Sequence, residues 1–403
     1  MKALQRLIQG RVLLLTICAA GIGGTFQFGY NLSIINAPTL HIQEFINETW
    51  WVRTGQPLPD HLVLFVWSLI VSLYPLGGLF GALLAGPLAV MLGRKKSLLV
   101  NNVFVVAAAI LFGFSRRAGS FEMLVLGRLL MGVSAALQRL RGTANVVGEL
   151  AELEEERAAC QGQRARRPWE LFQDRGLRRQ VTSLVVLGSA LELCGNDSVY
   201  AYASSVFREA GIPKGKVQYA VLGTGSCELL AACLSCVLIE RVGRRVLLIG
   251  GYCLMACWGT VFTAALCLQS SFPWMPYLAM SCIFAFVLSF GIGPAGVTGI
   301  LVTELFDQKT RPAAYMVAGA LVWTLLFLVG LGFPFLQEGL SHFLYVPFLG
   351  VCVCAAIYTG FFLPETKGKT FLEISKELHK LNFPRQSQGP EWTGPEVILS
   401  TEL

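Results

Sequence analysis

Three acidic residues lie inside stretches of sequence that are otherwise apolar: Glu192, Asp197 and Glu228. A carboxylate in apolar surroundings is costly, so it normally contacts a ligand, a partner group or a water-filled path. Two chemistries suit such groups, namely accepting hydrogen bonds from a polar solute and carrying a proton. Glu192 and Asp197 are five residues apart, which places them within about 140° of each other on a helix. We therefore expect these residues to line a polar path through an apolar protein.

The elements that must hold these acids are ten long apolar segments. Of the residues, 54% are hydrophobic and only 14% are charged, and the mean hydropathy of +0.59 excludes a soluble domain. Segments of about 18 or more apolar residues can cross the ~30 Å core of a bilayer. The sequence therefore predicts an all-α polytopic membrane protein embedded in the lipid bilayer. The predicted spans are 11–35, 64–92, 97–114, 121–137, 181–207, 217–240, 246–269, 275–303, 313–336 and 341–363.

A charged stretch from Gln138 to Gln180 separates four of these spans from the other six. Lysine and arginine concentrate on the cytoplasmic side of membrane proteins. With a cytoplasmic N-terminus, 25 of the 32 Lys and Arg residues lie on inside segments and six on outside segments. This distribution predicts that both termini are cytoplasmic. It also explains the net charge of +7 without a nucleic-acid partner.

Other functional patterns in the sequence are few. It contains no nucleophile–base pair, phosphate-binding loop or metal-ligand spacing, so neither an enzyme nor a bound cofactor or metal is predicted. Asn47 begins an Asn-Glu-Thr sequon in the long outside loop after span 1, where N-glycosylation is predicted. The last four residues, Ser400 to Leu403, fit a C-terminal ligand for a PDZ domain, although such short matches are common by chance.

Two basic turns suggest an internal repeat. Residues 93–96 connect spans 2 and 3, and residues 240–245 connect spans 6 and 7. A basic turn at corresponding points of two halves indicates parallel repeats related by an axis along the membrane normal. Any tight cytoplasmic turn also attracts arginine, so the two turns alone leave the question open.

Longer motifs indicate a family. They are Gln-Phe-Gly-Tyr-Asn (27–31), Ile-Asn-Ala-Pro (35–38), Gly-Arg-Leu-Leu-Met-Gly (127–132), Glu-Arg-Val-Gly-Arg-Arg (240–245), Thr-Glu-Leu-Phe (303–306), Arg-Pro-Ala-Ala (311–314) and Pro-Glu-Thr-Lys-Gly (364–368). With these motifs the chain resembles the facilitative glucose (hexose) transporters of the major facilitator superfamily. The resemblance implies two helical halves around a hexose site near the middle of the membrane.

The resemblance also implies the residues of that site. The family's helix seven carries a Gln-Gln-Leu-Ser-Gly-Ile-Asn motif that contacts the sugar, and residues 191–197 of this chain read Leu-Glu-Leu-Cys-Gly-Asn-Asp. A sugar-binding Asn of helix eight is replaced by Glu228, and a Trp of helix ten by Gly299. These changes resemble the fructose-accepting branch of the family. The implied substrate-binding residues are Leu191, Glu192, Asp197, Glu228, Phe290, Gly299, Trp323 and Phe26.

A cytoplasmic gate of ion pairs is implied in the same way. Its members would be Arg94, Arg128, Glu240, Arg244, Arg245, Glu304 and Arg311. In the family Arg94 and Arg128 pair with acids at the ends of helices four and five, and those acids are missing here. Proton-coupled relatives carry an Asp in helix one where this chain has Asn31, which favours uniport.

The chain departs from the family's twelve helices between Leu137 and Gln138. The end of helix four, helices five and six and their motifs are absent, as in the product of alternative splicing. The sequence predicts an incomplete N-terminal half (1–137), a cytoplasmic linker (138–180), a six-helix C-terminal half (181–363) and a cytoplasmic tail (364–403).

Three functional hypotheses follow from this sequence. The first is facilitative transport of glucose and/or fructose by alternating access, with a hexose as the substrate and the plasma membrane as the location. The second is a transport-incompetent form that acts as a regulatory or interaction membrane protein, because one half lacks two helices. The third is a proton-coupled sugar symporter. Oligomerisation that buries exposed helix faces is compatible with each of the three.

Overall fold

The computed structural model describes residues 26–36, 38–139, 167–307, 310–369, 373–374 and 376–378. Within these ranges the side chains of 26–28, 36, 85–87, 89–99, 138–139 and 342 are not described. All regular elements of the described ranges are helices, which confirms the predicted all-α class. Of the sequence predictions, the charged stretch from 140 to 166, most of span 1 and most of the tail fall outside these ranges.

Thirteen α-helices follow one another in the described residues. They are α1 (Phe26–Ser33), α2 (Thr39–Thr54), α3 (Asp60–Ala118), α4 (Glu122–Arg139), α5 (Pro168–Gln173), α6 (Arg178–Leu193), α7 (Asn196–Glu209), α8 (Lys214–Val242), α9 (Arg244–Cys267), α10 (Met275–Phe290), α11 (Gly296–Leu305), α12 (Arg311–Leu340) and α13 (Val346–Phe362). Short 3-10 turns lie at Ile34–Asn36, Arg175–Leu177 and Ser341–Phe343, and a π-helical turn at Gly291–Ala295 joins α10 to α11.

Helix α3 has continuous helical backbone over 59 residues, although the sequence predicts two spans there. Its contacts with α4 show that it folds back on itself. A Cβ on Gly127 of α4 would lie 2.5 Å from the Phe112 ring, and a Cβ on Gly81 would lie 2.5 Å from the carbonyl oxygen of Val133. Gly127 and Val133 are ~9 Å apart along α4, whereas a straight helix would separate Gly81 from Phe112 by ~46 Å. The helical segment α3 therefore bends back on itself and forms a hairpin that contains both predicted spans.

The fifth predicted span, 181–207, is not one continuous helix. It is divided into α6 and α7 at Cys194 and Gly195, and Gly195 has a left-handed backbone with φ of 92°. A side chain at this position would also meet Phe348, whose Cγ lies 2.8 Å from the position of an added Cβ. Glycine is thus required twice here, by the backbone and by close packing. The expectation that Glu192 and Asp197 share one helix is wrong, because they lie on opposite sides of this break.

By length and composition, six helical segments of the described residues can cross a membrane. They are Asp60–Leu84, Val100–Ala118, Lys214–Val242, Arg244–Cys267, Met275–Leu305 and Arg311–Leu340. Helix α13 is apolar but slightly shorter, at 17 residues. Helix α4 carries three charged residues in its 18, Glu122, Arg128 and Arg139, and the fifth span is split into two short helices.

The chain forms two compact units. The first comprises Met1–Asn145, Asp197–Ser204 and Trp323–Gly339, and the second comprises Val146–Asn196, Ser205–Val322 and Leu340–Leu403. Helices α7 and α12 each contribute residues to both units. The sequence-based division at residues 137 and 180 follows chain order alone and stays a prediction.

Each unit has its own apolar core. The second unit has a large core that includes Leu187, Leu248, Phe290 and Phe306. The first unit has smaller clusters, one around Tyr74 and Trp323 and another around Val133 and Leu137. Its helices approach closely through small residues: a Cβ on Gly132 would meet the carbonyl of Tyr74, and one on Gly77 would meet the carbonyl of Leu129.

Candidate functional site

A small cavity in the first unit contains one of the predicted acids. Asp197 and Ser198, in the first turn of α7, line it together with apolar residues of α1, α3 and α12. Ser198 is 1% exposed, and its hydroxyl has no hydrogen-bond partner among the described residues. The cavity has room for about one water molecule, so it does not hold a hexose in this conformation.

Trp323 lies in the core of the same unit. Its indole packs against Gly78, whose missing side chain makes room for the ring, and it meets the Tyr74 ring edge-on at 6.0 Å between centroids. Tyr202 of α7 donates a hydrogen bond to the carbonyl of Gly330 at 2.5 Å and stacks on Phe333. The structure therefore places Asp197 and Trp323 in the same unit. It adds Tyr74 and Tyr202, which the sequence analysis did not single out.

Arg128 is a buried cation in the first unit, with 3% of its surface exposed. Its Nη1 donates to the carbonyl of Asn31 at 2.7 Å, its Nε donates to the carbonyl of Ile70 at 3.3 Å, and its guanidinium carbon lies 4.8 Å from the centre of the Tyr74 ring. Among the described residues, no carboxylate pairs with Arg128, and its Nη2 has no hydrogen-bond partner. In the part of the chain that the structure describes, this guanidinium thus contacts carbonyls and a ring, which is unusual because an unpaired buried charge is costly.

Three further predicted site residues lie in the second unit. Glu192 is 6% exposed near the end of α6, and Tyr252 of α9 is fully buried in the core of the same unit. Leu191 and Phe290 belong to the core of this unit, Phe290 as a buried member and Leu191 as a partly buried neighbour. Glu192, Leu191 and Phe290 are thus held by the packing of α6, α9 and α10.

The remaining predicted substrate residues are placed differently. Glu228 is exposed on α8, beside the exposed Leu229 and Leu230. Gly299 is exposed on α11, with open space where a side chain would be. The side chain of Phe26 lies outside the described residues. Their part in substrate binding stays a prediction.

The second-unit gate residues form a network at one end of the helices. Arg244 Nη2 lies 3.0 Å from Glu304 Oε1 and 3.4 Å from Glu240 Oε1. The Arg244 and Glu304 side chains are 12% and 19% exposed, whereas that of Glu240 is 74% exposed. The Arg244–Glu304 pair is therefore the stronger one, since exposed pairs contribute little. Thr366 also donates a hydrogen bond to Glu304 Oε2 at 2.6 Å.

Glu365, from the Pro-Glu-Thr-Lys-Gly motif, is a further member of this network. Its carboxylate accepts hydrogen bonds from the backbone N–H groups of Arg244 at 3.0 Å and Arg245 at 3.1 Å, at the start of α9. A carboxylate at a helix N-terminus satisfies free N–H groups and interacts favourably with the helix dipole. Burial raises the pKa of Glu365, but the backbone N–H groups of Lys367, Arg244, Arg245 and Thr366 together hold it below its ordinary value.

The other predicted gate cations bind carbonyls rather than acids. Arg311 donates to the carbonyls of Phe306 at 3.2 Å and Thr303 at 2.9 Å, which caps the end of α11. Arg245 donates through Nη2 to the carbonyl of Gly360. Among the described residues, Arg244 thus forms ion pairs with Glu240 and Glu304, whereas Arg245 and Arg311 contact carbonyls. That these residues form a cytoplasmic gate stays a prediction. The side chain of Arg94 lies outside the described residues.

The predicted glycosylation site lies on α2. Asn47 is exposed, and its Oδ1 accepts a hydrogen bond from the backbone N–H of Leu58 at 3.1 Å. Arg53 in the last turn of the same helix forms an ion pair with Glu122 at 2.5 Å and donates to the carbonyl of Gly119 at 2.7 Å. These contacts hold α2 against the loop between α3 and α4.

The fold is similar to that of solved transporter structures. The structure of the major facilitator superfamily proton:xylose symporter XylE bound to 6-bromo-6-deoxy-D-glucose matches with a TM-score of 0.67 at 19% identity, and the match covers 89% of this chain and 97% of that chain. The inward-open structure of XylE from E. coli matches with a TM-score of 0.64 at 18% identity, covering 89% of this chain and 98% of that chain. The class of the protein is therefore a membrane protein with the major facilitator fold.

Sequence comparisons give the family. The model described as "Sugar (and other) transporter" matches residues 15–138 and 134–378. Human solute carrier family 2, facilitated glucose transporter member 11 is 67% identical over 496 positions that cover all of both chains. Human member 5 is 34% identical over 94% of this chain and 95% of its own length, and mouse member 9 is 35% identical over 94% and 87%. The chain belongs to the sugar transporter family and, like its relatives, is a transporter-type protein rather than an enzyme.

The same comparisons bear on the missing helices. Because the chain has 403 residues, at least 93 of the 496 positions aligned with human member 11 are gaps in this chain. The family model matches in two pieces that meet at residues 134–138. This break coincides with the predicted junction between Leu137 and Gln138.

Proposed function

We propose that this chain is a facilitative hexose carrier that moves sugar down its concentration gradient by alternating access. The observation that carries the proposal is the break between α6 and α7 at Gly195, with the buried Glu192 on one side and Asp197 on the other. Broken helices in the membrane interior free backbone groups and present polar side chains, and they mark substrate sites in transporters. Carboxylates there accept hydrogen bonds from sugar hydroxyls.

Glucose and fructose are the proposed substrates. Relatives at 67% and 34% identity are named facilitated glucose transporters. Glu192 and Asp197 each stand where the resemblance implies an amide, and a carboxylate offers acceptors but no donors to a sugar hydroxyl. Open space at Gly299 favours a roomier site. The proposed location is the plasma membrane with both termini cytoplasmic.

Uniport is favoured over proton coupling. Asn31 supplies its backbone carbonyl to Arg128, and its amide side chain cannot titrate. A proton-coupled mechanism in this chain would have to use Glu192 or Asp197 instead. An imposed proton gradient therefore separates the two mechanisms.

A transport-incompetent form is the second candidate, and a specific observation favours it. Arg128 is buried without a carboxylate partner among the described residues, on the helix where the alignment gap begins. Loss of two helices removes groups that would compensate such a charge. In this case the chain would act through a membrane partner, either a second copy or a PDZ-domain protein.

Uptake into proteoliposomes made from the purified full chain tests these candidates. The proposal expects saturable uptake of D-glucose or D-fructose, exclusion of L-glucose, and no stimulation by an inward proton gradient. Stimulation by the gradient would support symport. Sugar binding without uptake would support the transport-incompetent form, and neither binding nor uptake would overturn a sugar site in this chain.

A further inference from the structure

A short segment before α6 exposes large aromatic side chains next to arginines. Trp169 and Phe172 of helix α5 are 55% and 61% exposed. The guanidinium carbon of Arg167 lies 5.2 Å from the centre of the Trp169 ring. The chain then enters α6, whose apolar residues begin at Val181. Exposed aromatic rings beside arginines at the start of a spanning helix are typical of the membrane–water interface.

The segment is held rigidly against the second unit. Leu171 is 1% exposed and belongs to the core that also contains Val181 and Leu184 of α6. The carboxylate of Glu170 accepts a hydrogen bond from the backbone N–H of Arg167 at 3.0 Å. Because Leu171 is buried in the core, Trp169 and Phe172 are held in fixed positions outside it.

The surface formed by residues 167–179 is basic. Arg167, Arg175 and Arg178 are exposed, and Arg179 is half-buried. Only two acids, Glu170 and Asp174, lie among them, and both are engaged locally: Asp174 Oδ1 accepts a hydrogen bond from the backbone N–H of Gly176 at 2.8 Å. Four arginines thus offer donors just before and at the start of α6, which begins the predicted fifth span.

We propose that the surface formed by residues 167–179 binds anionic phospholipid headgroups. Arginine forms short, charge-assisted hydrogen bonds to phosphate oxygens, and its planar fork accommodates two of them. Trp169 and Phe172 would insert at the level of the headgroups, as aromatic side chains of interfacial helices do. The site is independent of the sugar path and does not rest on the proposed transport function.

The alternative occupant is the chain's own segment 140–166. It contains five glutamates, which could pair with the arginines, but it also contains four arginines of its own and no aromatic residue. Its net charge is therefore close to neutral, and it matches a basic and aromatic surface less well than an anionic bilayer does. This alternative is an outcome of the test.

Lipid competition on the purified full chain tests the proposal. The protein is incubated with equal amounts of phosphatidylserine and phosphatidylcholine, and the retained lipids are counted by native mass spectrometry. We expect a preference for phosphatidylserine that falls about fivefold for each arginine removed, the equivalent of about 1 kcal/mol. The test variant is Arg175→Gln with Arg178→Gln. The matched control is Lys214→Gln with Lys216→Gln, which removes the same charge from exposed residues at the start of α8.

Hydrogen exchange in nanodiscs locates the contact. Peptides covering 167–179 are expected to exchange more slowly in discs with phosphatidylserine than in discs of phosphatidylcholine alone, and Trp169→Ala is expected to lose this protection even if the double Arg variant does not fold. An unchanged lipid preference in the double Arg variant, or an equal loss in the lysine control, would overturn the proposal. The proposal would also be overturned if residues 167–179 were equally protected in both kinds of disc and lost this protection when the glutamates of 149–156 were changed to Gln. That result would assign the surface to segment 140–166.

Discussion

Four backbone N–H groups converge on the carboxylate of Glu365: those of Arg244, Arg245, Thr366 and Lys367. They keep this carboxylate ionised and hold its pKa below the ordinary value despite partial burial. A group with a lowered pKa contributes stability above its unfolded pKa and loses that contribution as the pH falls through its folded pKa. Glu365 therefore connects the segment after α13 to the start of α9 at neutral pH.

Glu365→Gln is expected to lower the free energy of unfolding by about 1–3 kcal/mol at neutral pH, because a charged acceptor becomes a neutral amide. The difference from wild type is expected to narrow as the pH falls below the unfolded-state pKa of a glutamate, about 4.3, and to disappear as the pH falls through the lower folded-state pKa of Glu365. Thermal unfolding in detergent at several pH values measures both effects. Glu377→Gln is the control, since its ion pair with Lys369 is more exposed and worth about 1 kcal/mol or less. An equal loss in both variants at every pH would contradict the role of Glu365.

Glu192 and Asp197 are the residues on which sugar selectivity is predicted to depend. Glu192→Gln and Asp197→Asn each replace a carboxylate by the amide that the family carries at that position. Hydrogen bonds to charged groups are worth about 1 kcal/mol more than neutral ones, so each variant should change the fructose-to-glucose ratio of apparent affinities by about fivefold. Competition between the two sugars measures this ratio. Glu44→Gln, an exposed change on α2, should leave it unchanged, and a shift of the same size there would refute the assignment.

Helices α3 and α4 pack closely in the first unit, because glycines at their interface allow the two backbones to come into contact. Gly132 lies against the carbonyl of Tyr74, and Gly77 lies against the carbonyl of Leu129. Both contacts involve backbone atoms, which cannot move aside as a flexible side chain can. The hairpin of α3 therefore depends on these small residues for its closure.

Gly132→Ala is expected to destabilise the protein by about 1–3 kcal/mol, because the added methyl group overlaps a backbone carbonyl. Gly113→Ala, in α3 rather than α4, has open space around the new methyl group and is expected to be neutral or stabilising by up to about 1 kcal/mol. The melting temperatures of the two variants, compared with wild type, test this difference. Equal effects of the two changes would mean that the helices are not in close contact at Gly132.

At the scale of the whole chain, the protein has a sugar transporter fold, and its first half is predicted to be incomplete. The aligned relative has at least 93 positions that this chain lacks, and the break falls at the end of α4. The first unit correspondingly has small core clusters and a buried Arg128 whose Nη2 finds no partner among the described residues. The second unit has a large core and the ion pair between Arg244 and Glu304.

Insertion of the missing segment of the human relative between Leu137 and Gln138 is expected to raise the melting temperature by several degrees, because it adds core to the first unit and partners for Arg128. Hexose uptake should rise with it if the chain is transport-incompetent by itself. An insertion of the same length made of flexible Gly-Ser sequence is the control. No gain over that control in either measurement would indicate that the present chain is already complete as a folded unit.

The sequence by itself determined the all-α class, most of the spans and the family, because these depend on hydrophobicity over about 20 residues and on local motifs. It also indicated Arg244 with Glu240 and Glu304, and the hairpin turn within α3. It did not predict the break at Gly195, since the positive φ and the contact with Phe348 become visible only when α13 is in place.

Only the tertiary structure decided which polar groups are partners. Glu365 binds the N–H of Arg244 across 121 residues of sequence, and Tyr202 binds Gly330 across 128. It also assigned residues 197–204 and 323–339 to the first unit, although the sequence places them in the second half. The physical reason is the sequence separation of the groups involved. Whether a segment can be buried in a membrane depends on its own residues, whereas hydrogen bonds of about 3 Å depend on how segments distant in sequence pack.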